Sequence, residues 1–498
     1  MAEMLICVLT TLLGGWAAEQ WMTPTPNSVF RRPWRANVMH VSILVTVFGL
    51  YLLVLRRPWL ASALTLGLPV LLIIINNTKH THLREPFLAS DWSYFVEALR
   101  YPRLYFPFFG SLKAALMLGT FVSVLTLWLW LEPPWSGNIN PLVMVGMGCV
   151  VGGAVCLRWA CLSWPTDSRT TNYDVESDVT QWGLFATLAL YGYDLKRPPN
   201  QTGSPFLSLQ APEYKLLPHF IAIQAESFFD LKRHFTGHLS ERWLVNLDAL
   251  NDESHAHGPL IVPAWGANTV RTEFEFLTGL SASHFGVHRF QPYALAFKHT
   301  PRSLARYLKV NGYETIFVHP YLKNFYNRHR VMPQLGFDSF LDVTAFDAPA
   351  SSENYVSDLA LGETLVSLLN HAQGPTFLQA VTMAGHGPYT RKGAEPAEVL
   401  DKYAARMAGT DAMLGYLREA LPKLNRPVVL CVYGDHPPIL PEVYAWLGMP
   451  DGTTDYAVWC SQPIAHAPKL SATPETIHAH MLAAKMLRVG GFTEKLES

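Results

Sequence analysis

Four apolar runs in the second half of the chain end in titratable side chains. FIAIQA is followed by Glu226, ETIFV by His319, AVTMAG by His386, and VLCVYG by Asp435 and His436. Glu226, Asp435 and His436 together offer two hard oxygen donors and one imidazole, a set suited to Mn2+, Mg2+ or Zn2+ rather than to a thiolate-bound metal. Three protein ligands leave a position open. WGANTVRTEFEFLTG offers a way to fill it, since Gly266 frees the backbone and Thr269 opens a predicted helix. A hydroxyl there sits among unpaired N–H groups that favour an anion, and a metal contact lowers its pKa further. Spacing alone favours an ordinary helix cap for Thr269, with Thr272 an alternative cap. A lone Glu after a strand equally fits a helix start, and a lone His a loop. Five such side chains at four strand ends form a pattern that none of them makes alone.

The strands must therefore deliver these groups to one edge. HFIAIQ, ETIFVH, TFLQAVTM and PVVLCVYG are β-rich apolar runs separated by helical patterns such as SLARYLKVNG and the stretch from Val399 to Leu421. That alternation predicts an α/β domain from residue 216 to 498, with a central, largely parallel sheet flanked by helices. In open sheets of this kind ligands bind beyond the carboxyl ends of the strands.

Upstream the texture is different. Apolar stretches at 4–18, 38–55, 59–75, 114–131 and 142–157 contain no Asp, Glu, Lys or Arg, and their lengths predict an N-terminal bundle of about five transmembrane helices over residues 1–162. The first lacks a basic n-region and a small-residue cleavage site, so it is expected to span rather than to act as a signal peptide. His40 is the one ionisable candidate within these stretches, which reads as an anchor more than a pathway. Residues 163–215 form a polar juxtamembrane linker with an amphipathic helix expected around 180–193, the turn-rich KRPPNQTGSP, and an Asn200-Gln201-Thr202 sequon.

Composition agrees with a membrane protein: 49% of the 498 residues are hydrophobic and 15% charged. A net charge of -1 without any Lys/Arg block excludes a nucleic-acid binder. Of six cysteines, Cys7, Cys149, Cys156 and Cys161 lie in or beside apolar segments, and Cys431 and Cys460 have neither CxxC nor zinc spacing. Arg31, Arg32, Arg35, Lys79, Arg84, Arg100 and Arg103 fall in loops one and three, against Arg56 and Arg57 in loop two. Charge counting thus places the C-terminal half in the cytoplasm.

The ordered motifs QAESFFD, GANTVRTEFEFLTG, HPYLKNFYNRHRVMPQLGFDSF, TMAGHGPY and VYGDHPP resemble the lipoteichoic acid synthase and phosphoglycerol transferase branch of the alkaline phosphatase/sulfatase superfamily. The resemblance covers the globular half, and the five preceding spans are similar too. It implies a membrane-anchored transferase that moves glycerophosphate from a phospholipid such as phosphatidylglycerol, through a phospho-threonine, to a cell-envelope glycan or polyol-phosphate acceptor. Glu226, Thr269, Asp435 and His436 would hold one divalent metal ion, Mn2+ before Mg2+ or Zn2+, with Thr269 as nucleophile. His386 matches the phosphate-contacting histidine, and Tyr326 and Arg328 the headgroup site; His319 and Lys323 are neighbouring candidates. Tyr326 stands where the family commonly has Trp. The resemblance also implies a bacterial cytoplasmic (inner) membrane location with the catalytic domain outside, against the charge count. No cysteine lies between Cys161 and Cys431 to form a CxPxR-type sulfatase motif, which argues against sulfate-ester hydrolysis. The alternatives are a phosphoethanolamine transferase, whose soluble domains typically carry several disulfides, a metal-dependent phosphodiesterase on the same site, and a non-catalytic membrane assembly protein.

Overall fold

A computed structural model describes residues 2–92, 100, 111–136, 138–164, 173–199, 204–213, 216–235, 237, 243–296, 302–346, 355–390, 393–465, 467–471 and 473–495. Arg103, the polar start of the linker at 165–172 and the sequon at 200–202 lie outside the described residues. The chain divides into two compact units, Met1–Pro198 and Pro199–Ser498.

Among the described residues of the first unit, five helices are long and apolar enough to cross a membrane. They are α1 (Ala2–Glu19), α2 (Trp34–Leu55), α3 (Pro58–Leu83), α4 (Ser111–Leu131) and α5 (Ile139–Ser163). His40 stays the one ionisable candidate within the apolar stretches, but the helices overrun those stretches and take in charge. Glu19 closes α1 fully buried, bonded to Arg32 at 2.5 Å, with His40 Nδ1 at 3.4 Å from its other oxygen. Lys79, near the end of α3, pairs with Glu85 at 2.9 Å and Asp91 at 2.6 Å. Charges taken from water persist only when partnered in this way. The single amphipathic helix expected at 180–193 is two, α6 (Val175–Trp182) and α7 (Leu184–Asp194). Gly183 between them has φ 83°, and a side chain there would run into the Arg32 guanidinium.

Among the described residues, the second unit is built on an eight-stranded sheet. Its strands in chain order are β1 (His219–Ala225), β2 (Ala256–Ile261), β3 (Glu314–Val318), β4 (Ser339–Leu341), β5 (Thr376–Val381), β6 (Val428–Gly434), β7 (Thr453–Cys460) and β8 (Ile477–His478). They lie side by side as β4-β3-β5-β1-β6-β7-β2-β8. Neighbours from β4 through β6 are parallel, and β7 runs antiparallel to both β6 and β2. The central strands are apolar throughout because both faces are covered. In β1, Phe220 and Ala222 join one core layer while Ile221, Ile223 and Ala225 join the other. In β6, Val429, Cys431 and Tyr433 oppose Val428, Leu430 and Val432 in the same alternation. Each fully buried large side chain contributes roughly 1.5–3 kcal/mol, enough in sum to fix the register that sets the strand ends level.

The helices that matter for the site are α8 (Thr269–Thr278), α9 (Arg328–Gln334), α10 (Asp358–His371) and α11 (Pro396–Ala420). All ten residues of α8 are buried. Its polar side chains must therefore find partners inside the protein.

Candidate active site

Pairing of Ala225 with Gly434 brings the ends of β1 and β6 level, so Glu226 and Asp435 emerge side by side. The Asp435 N–H donates to Ala225 O at 3.3 Å, and the Ser227 N–H donates to Asp435 Oδ1 at 2.8 Å. On the other flank the Glu226 N–H donates to Thr382 Oγ1 at 2.9 Å, just past β5. Gly434 is required by close approach: any Cβ there would collide with Phe228 O. The sheet's own hydrogen bonding thus aims two carboxylates at one point.

His436 and Thr269 close around them. His436 Nε2 lies 3.3 Å from Asp435 Oδ2 and 3.6 Å from Glu226 Oε1. Its Nδ1 is 3.2 Å from Pro437 O. A carbonyl only accepts, so Nδ1 carries the proton and the Nε2 lone pair faces the carboxylates. Lone pairs converge there, and both Asp435 Oδ2 and His436 Nε2 are buried without a hydrogen-bond partner in the protein. Burial, and next the charge of Glu226, push the Asp435 carboxyl well above the ordinary range; burial pushes the His436 imidazole down. A divalent cation is what such a donor set fits, since it satisfies all the lone pairs and reverses the carboxylate's penalty. Glu226, Asp435 and His436 each offer an atom within 4.8 Å of the others.

Thr269 is the first residue of α8, and its hydroxyl donates to Glu226 Oε2 at 3.3 Å. It is not the cap; Asn268, at φ 69°, holds that position. Thr272, the other cap considered, donates instead to Asp435 O at 2.7 Å, tying α8 to the end of β6. Gln224 Nε2 donates to Thr269 O at 3.0 Å, a third tie.

A cleft of about 370 Å3, open mouth included, extends from this point. Glu226, Thr269, His319, Tyr326, Arg328, His386 and His436 all line it. Lys323 is exposed and is not among the lining residues, so the structure does not bring it to the others. His319 is buried, with Nδ1 3.0 Å from Val381 O. Its Nε2 therefore presents a lone pair, and burial and then Arg328 hold the ring well below the ordinary range, as a neutral acceptor. His386 Nδ1 is 2.5 Å from Gly387 O, which leaves its Nε2 available. Tyr326 and Asn327 both adopt left-handed φ, 53° and 56°, strain that residues of this kind accept at functional positions. The pair of kinks starts α9 with Arg328 inward, its guanidinium carbon 5.5 Å from the Tyr326 ring.

A family model described as Sulfatase matches residues 218–487. The chain belongs to the sulfatase family. The capsular polysaccharide biosynthesis protein RkpI of Rhizobium meliloti is 28% identical over 462 residues, covering 87% of this chain and 84% of that one. A lipoteichoic acid synthase of Staphylococcus saprophyticus is 26% identical over 237 residues, 44% of this chain and 35% of that protein. The solved lipooligosaccharide phosphoethanolamine transferase A of Neisseria meningitidis, an integral membrane protein, aligns with 92% of this chain and 95% of its own at 12% identity and a TM-score of 0.55. That likeness is one of fold: apolar N-terminal helices followed by a sulfatase-like α/β domain. The family's name does not carry sulfatase chemistry to this site, where a threonine stands at the head of α8.

Several residues that shape the site escaped the sequence reading. Ser227 directly follows Glu226 and donates its hydroxyl to Glu226 Oε1 at 3.0 Å. Thr382 and Gln224 carry no motif. Glu273, between Thr272 and Phe274, is legible only as a charge beside the apolar residues of a helix, a signal that it needs a buried partner.

Proposed function

We propose that this chain is a membrane-anchored phosphoglycerol transferase that takes glycerophosphate from a phospholipid, phosphatidylglycerol foremost, and passes it to a hydroxyl of an envelope glycan or polyol-phosphate acceptor. The observation that carries this reading is the convergence of Glu226, Asp435, His436 and Thr269 on one point, at the mouth of a cleft that also holds Arg328 and Tyr326. Held by Glu226, Asp435, His436 and Thr269, a divalent cation, manganese in this reading, would acidify the threonine hydroxyl and offset charge on a phosphate oxygen.

The chain's own groups do the rest. Thr269 Oγ attacks the donor phosphorus; the new P–O bond forms as the bond to diacylglycerol breaks, and the threonine proton ends on the diacylglycerol oxygen. An acceptor hydroxyl then attacks the same phosphorus, the bond to Thr269 breaks, and the acceptor's proton returns to Thr269. Arg328 and His386 hold the phosphoglycerol oxygens during both steps, and phosphoryl transfer responds chiefly to such positioning and charge. His319 accepts a headgroup hydroxyl at its bare Nε2. The tether keeps the catalytic unit at high effective concentration over a lipid donor.

This reading places the catalytic unit on the extracytoplasmic side. The loop charges that argue otherwise are partly neutralised inside the first unit, since Arg32 is paired with Glu19, and Lys79 with Glu85 and Asp91. The test is incubation of the full chain, with Mn2+, in vesicles containing phosphatidylglycerol labelled in its headgroup. Diacylglycerol release together with label on the Thr269 peptide is expected. Release of label to water without a Thr269 adduct would replace transferase with phosphodiesterase, and no release at all would refute the reading.

A further inference from the structure

Arg328 is one of the largest fully buried side chains in the protein, 1% exposed. A guanidinium cannot shed its charge, so its orientation depends on a fixed counter-charge. That counter-charge is Glu273, whose Oε2 accepts from Arg328 Nη2 at 2.9 Å; the two side chains are 1% and 0% exposed. The other oxygen, Oε1, accepts the Tyr293 hydroxyl, which is itself buried. Glu273 does not line the cleft, whereas Arg328 does. Both oxygens of Glu273 are thus bonded to side chains inside the protein. Arg328 Nε remains buried without a partner, and one bond to Glu273 leaves most of its five N–H groups unspent.

Glu273 lies four residues after Thr269 on α8, so the two project from the same face of one rigid helix. Arg328 arrives from a different segment, through the two left-handed residues that precede α9. A long side chain entering from a kinked loop has several rotamers open to it. An acid anchored to the nucleophile's own helix selects one.

We propose that Glu273, braced by Tyr293, is a positioning residue that aims Arg328 into the cleft at a fixed distance from Thr269. The proposal rests on the reading of this cleft as a phosphoglycerol site. It goes beyond that reading by making the spacing between nucleophile and headgroup arginine a property of one helix turn.

The test is a double-mutant cycle on the full-length chain with Mn2+, measuring the Kd of glycerol phosphate alongside diacylglycerol release. Glu273→Gln and Arg328→Gln are each expected to weaken glycerol phosphate binding about tenfold or more. The double variant, which removes both charges and leaves neither stranded, should bind no more weakly than Arg328→Gln alone. Such non-additivity is the mark of one residue acting through another. If Glu273→Gln weakens binding by the same factor in both backgrounds, or leaves a folded protein binding normally, the proposal is overturned. Should Glu273→Gln not fold, Glu273→Asp is read instead: it keeps the charge but draws it back by one methylene, and a raised Kd with metal binding intact supports the role, while an unchanged Kd overturns it. A wild-type chain that binds glycerol phosphate through this cycle yet releases no diacylglycerol sinks the transferase reading and leaves the positioning role standing. A wild-type chain that does not bind glycerol phosphate sinks the positioning role as well.

Discussion

Glu275 gives a prediction whose sign and size follow from its surroundings. It lies on α8, six residues after Thr269, 6% exposed. Its Oε1 accepts the Ala282 N–H at 2.7 Å, and Oε2 is 4.0 Å from His480 Nδ1. Burial is the largest influence and pushes its carboxyl up from 4.5 to about 7, against the Ala282 hydrogen bond and the attraction of Arg289. A folded-state pKa above the unfolded one means the folded protein prefers the protonated form. Stability from this group is fully present below about pH 4.5 and is lost as pH rises through 7. At about 1.4 kcal/mol for each tenfold change in proton concentration, the interval from 4.5 to about 7 corresponds to about 3 kcal/mol. Glu275→Gln keeps an oxygen for Ala282 and removes the ionisation. The variant is expected to be more stable than wild type at pH 8, by up to about 3 kcal/mol or a rise in Tm on the order of 5 °C, and no more stable at pH 4. Thermal unfolding of the full chain in detergent at both pH values measures this. A gain of equal size at both, or a loss at pH 8, would refute the argument that ionisation of a buried acid is the cost.

Thr269→Ala is expected to abolish diacylglycerol release and adduct formation while leaving glycerol phosphate binding within a few-fold, as calorimetry can show. Asp435→Asn keeps an oxygen for the Ser227 N–H and so folds, but loses metal affinity by more than about 100-fold, the upper range for merely outer-shell partners, read by Mn2+ titration. Gly434→Ala forces a Cβ onto Phe228 O and should cost several kcal/mol, more than about 3, visible as lost folded protein. Lys323→Ala, exposed and outside the cleft, should change transfer less than about twofold; a tenfold loss would place that side chain in substrate contact after all.

What could be read from the sequence divides along a physical line. Groups that follow directly from strand ends were legible, because an all-apolar run fixes where β1 and β6 stop and the parallel register then fixes where Glu226 and Asp435 sit. His319 was legible by the same rule, whereas Arg328, which also lines the cleft, was legible only through the family resemblance of FYNR. The reversal of β7 was not, since TDYAVWC alternates no differently in either direction. Nor was the division of the linker helix at Gly183, where φ is 83° and the Arg32 guanidinium fills the space a side chain would take. Glu273 shows the limit most clearly: its meaning depends wholly on an arginine 55 residues away, and no local pattern encodes such a pair.

The charge count over the loops stands against the proposed outer placement, and the folded first unit bears on it. Positive-inside counting scores Lys and Arg and gives Asp and Glu little weight, yet in the folded unit not every such cation is a free, hydrated charge. Arg32 is not: its side chain is 1% exposed, held 2.5 Å from a fully buried Glu19, and packed against the chain at Gly183. Lys79 has two carboxylate partners and a third acceptor in Pro86 O at 2.9 Å. Counted as net charge with their partners, these two cations contribute nothing in loop one or less than nothing around loop three. The bias toward those loops therefore shrinks once the unit is folded. Because insertion precedes that folding, the pairs matter only if Glu19, Glu85 and Asp91 enter with their cations, and all three lie within 13 residues of the partner in sequence. Neutralisation between close neighbours in the chain is available to the nascent helix hairpins, and the proposed outer placement of the catalytic unit rests on its outweighing the raw count.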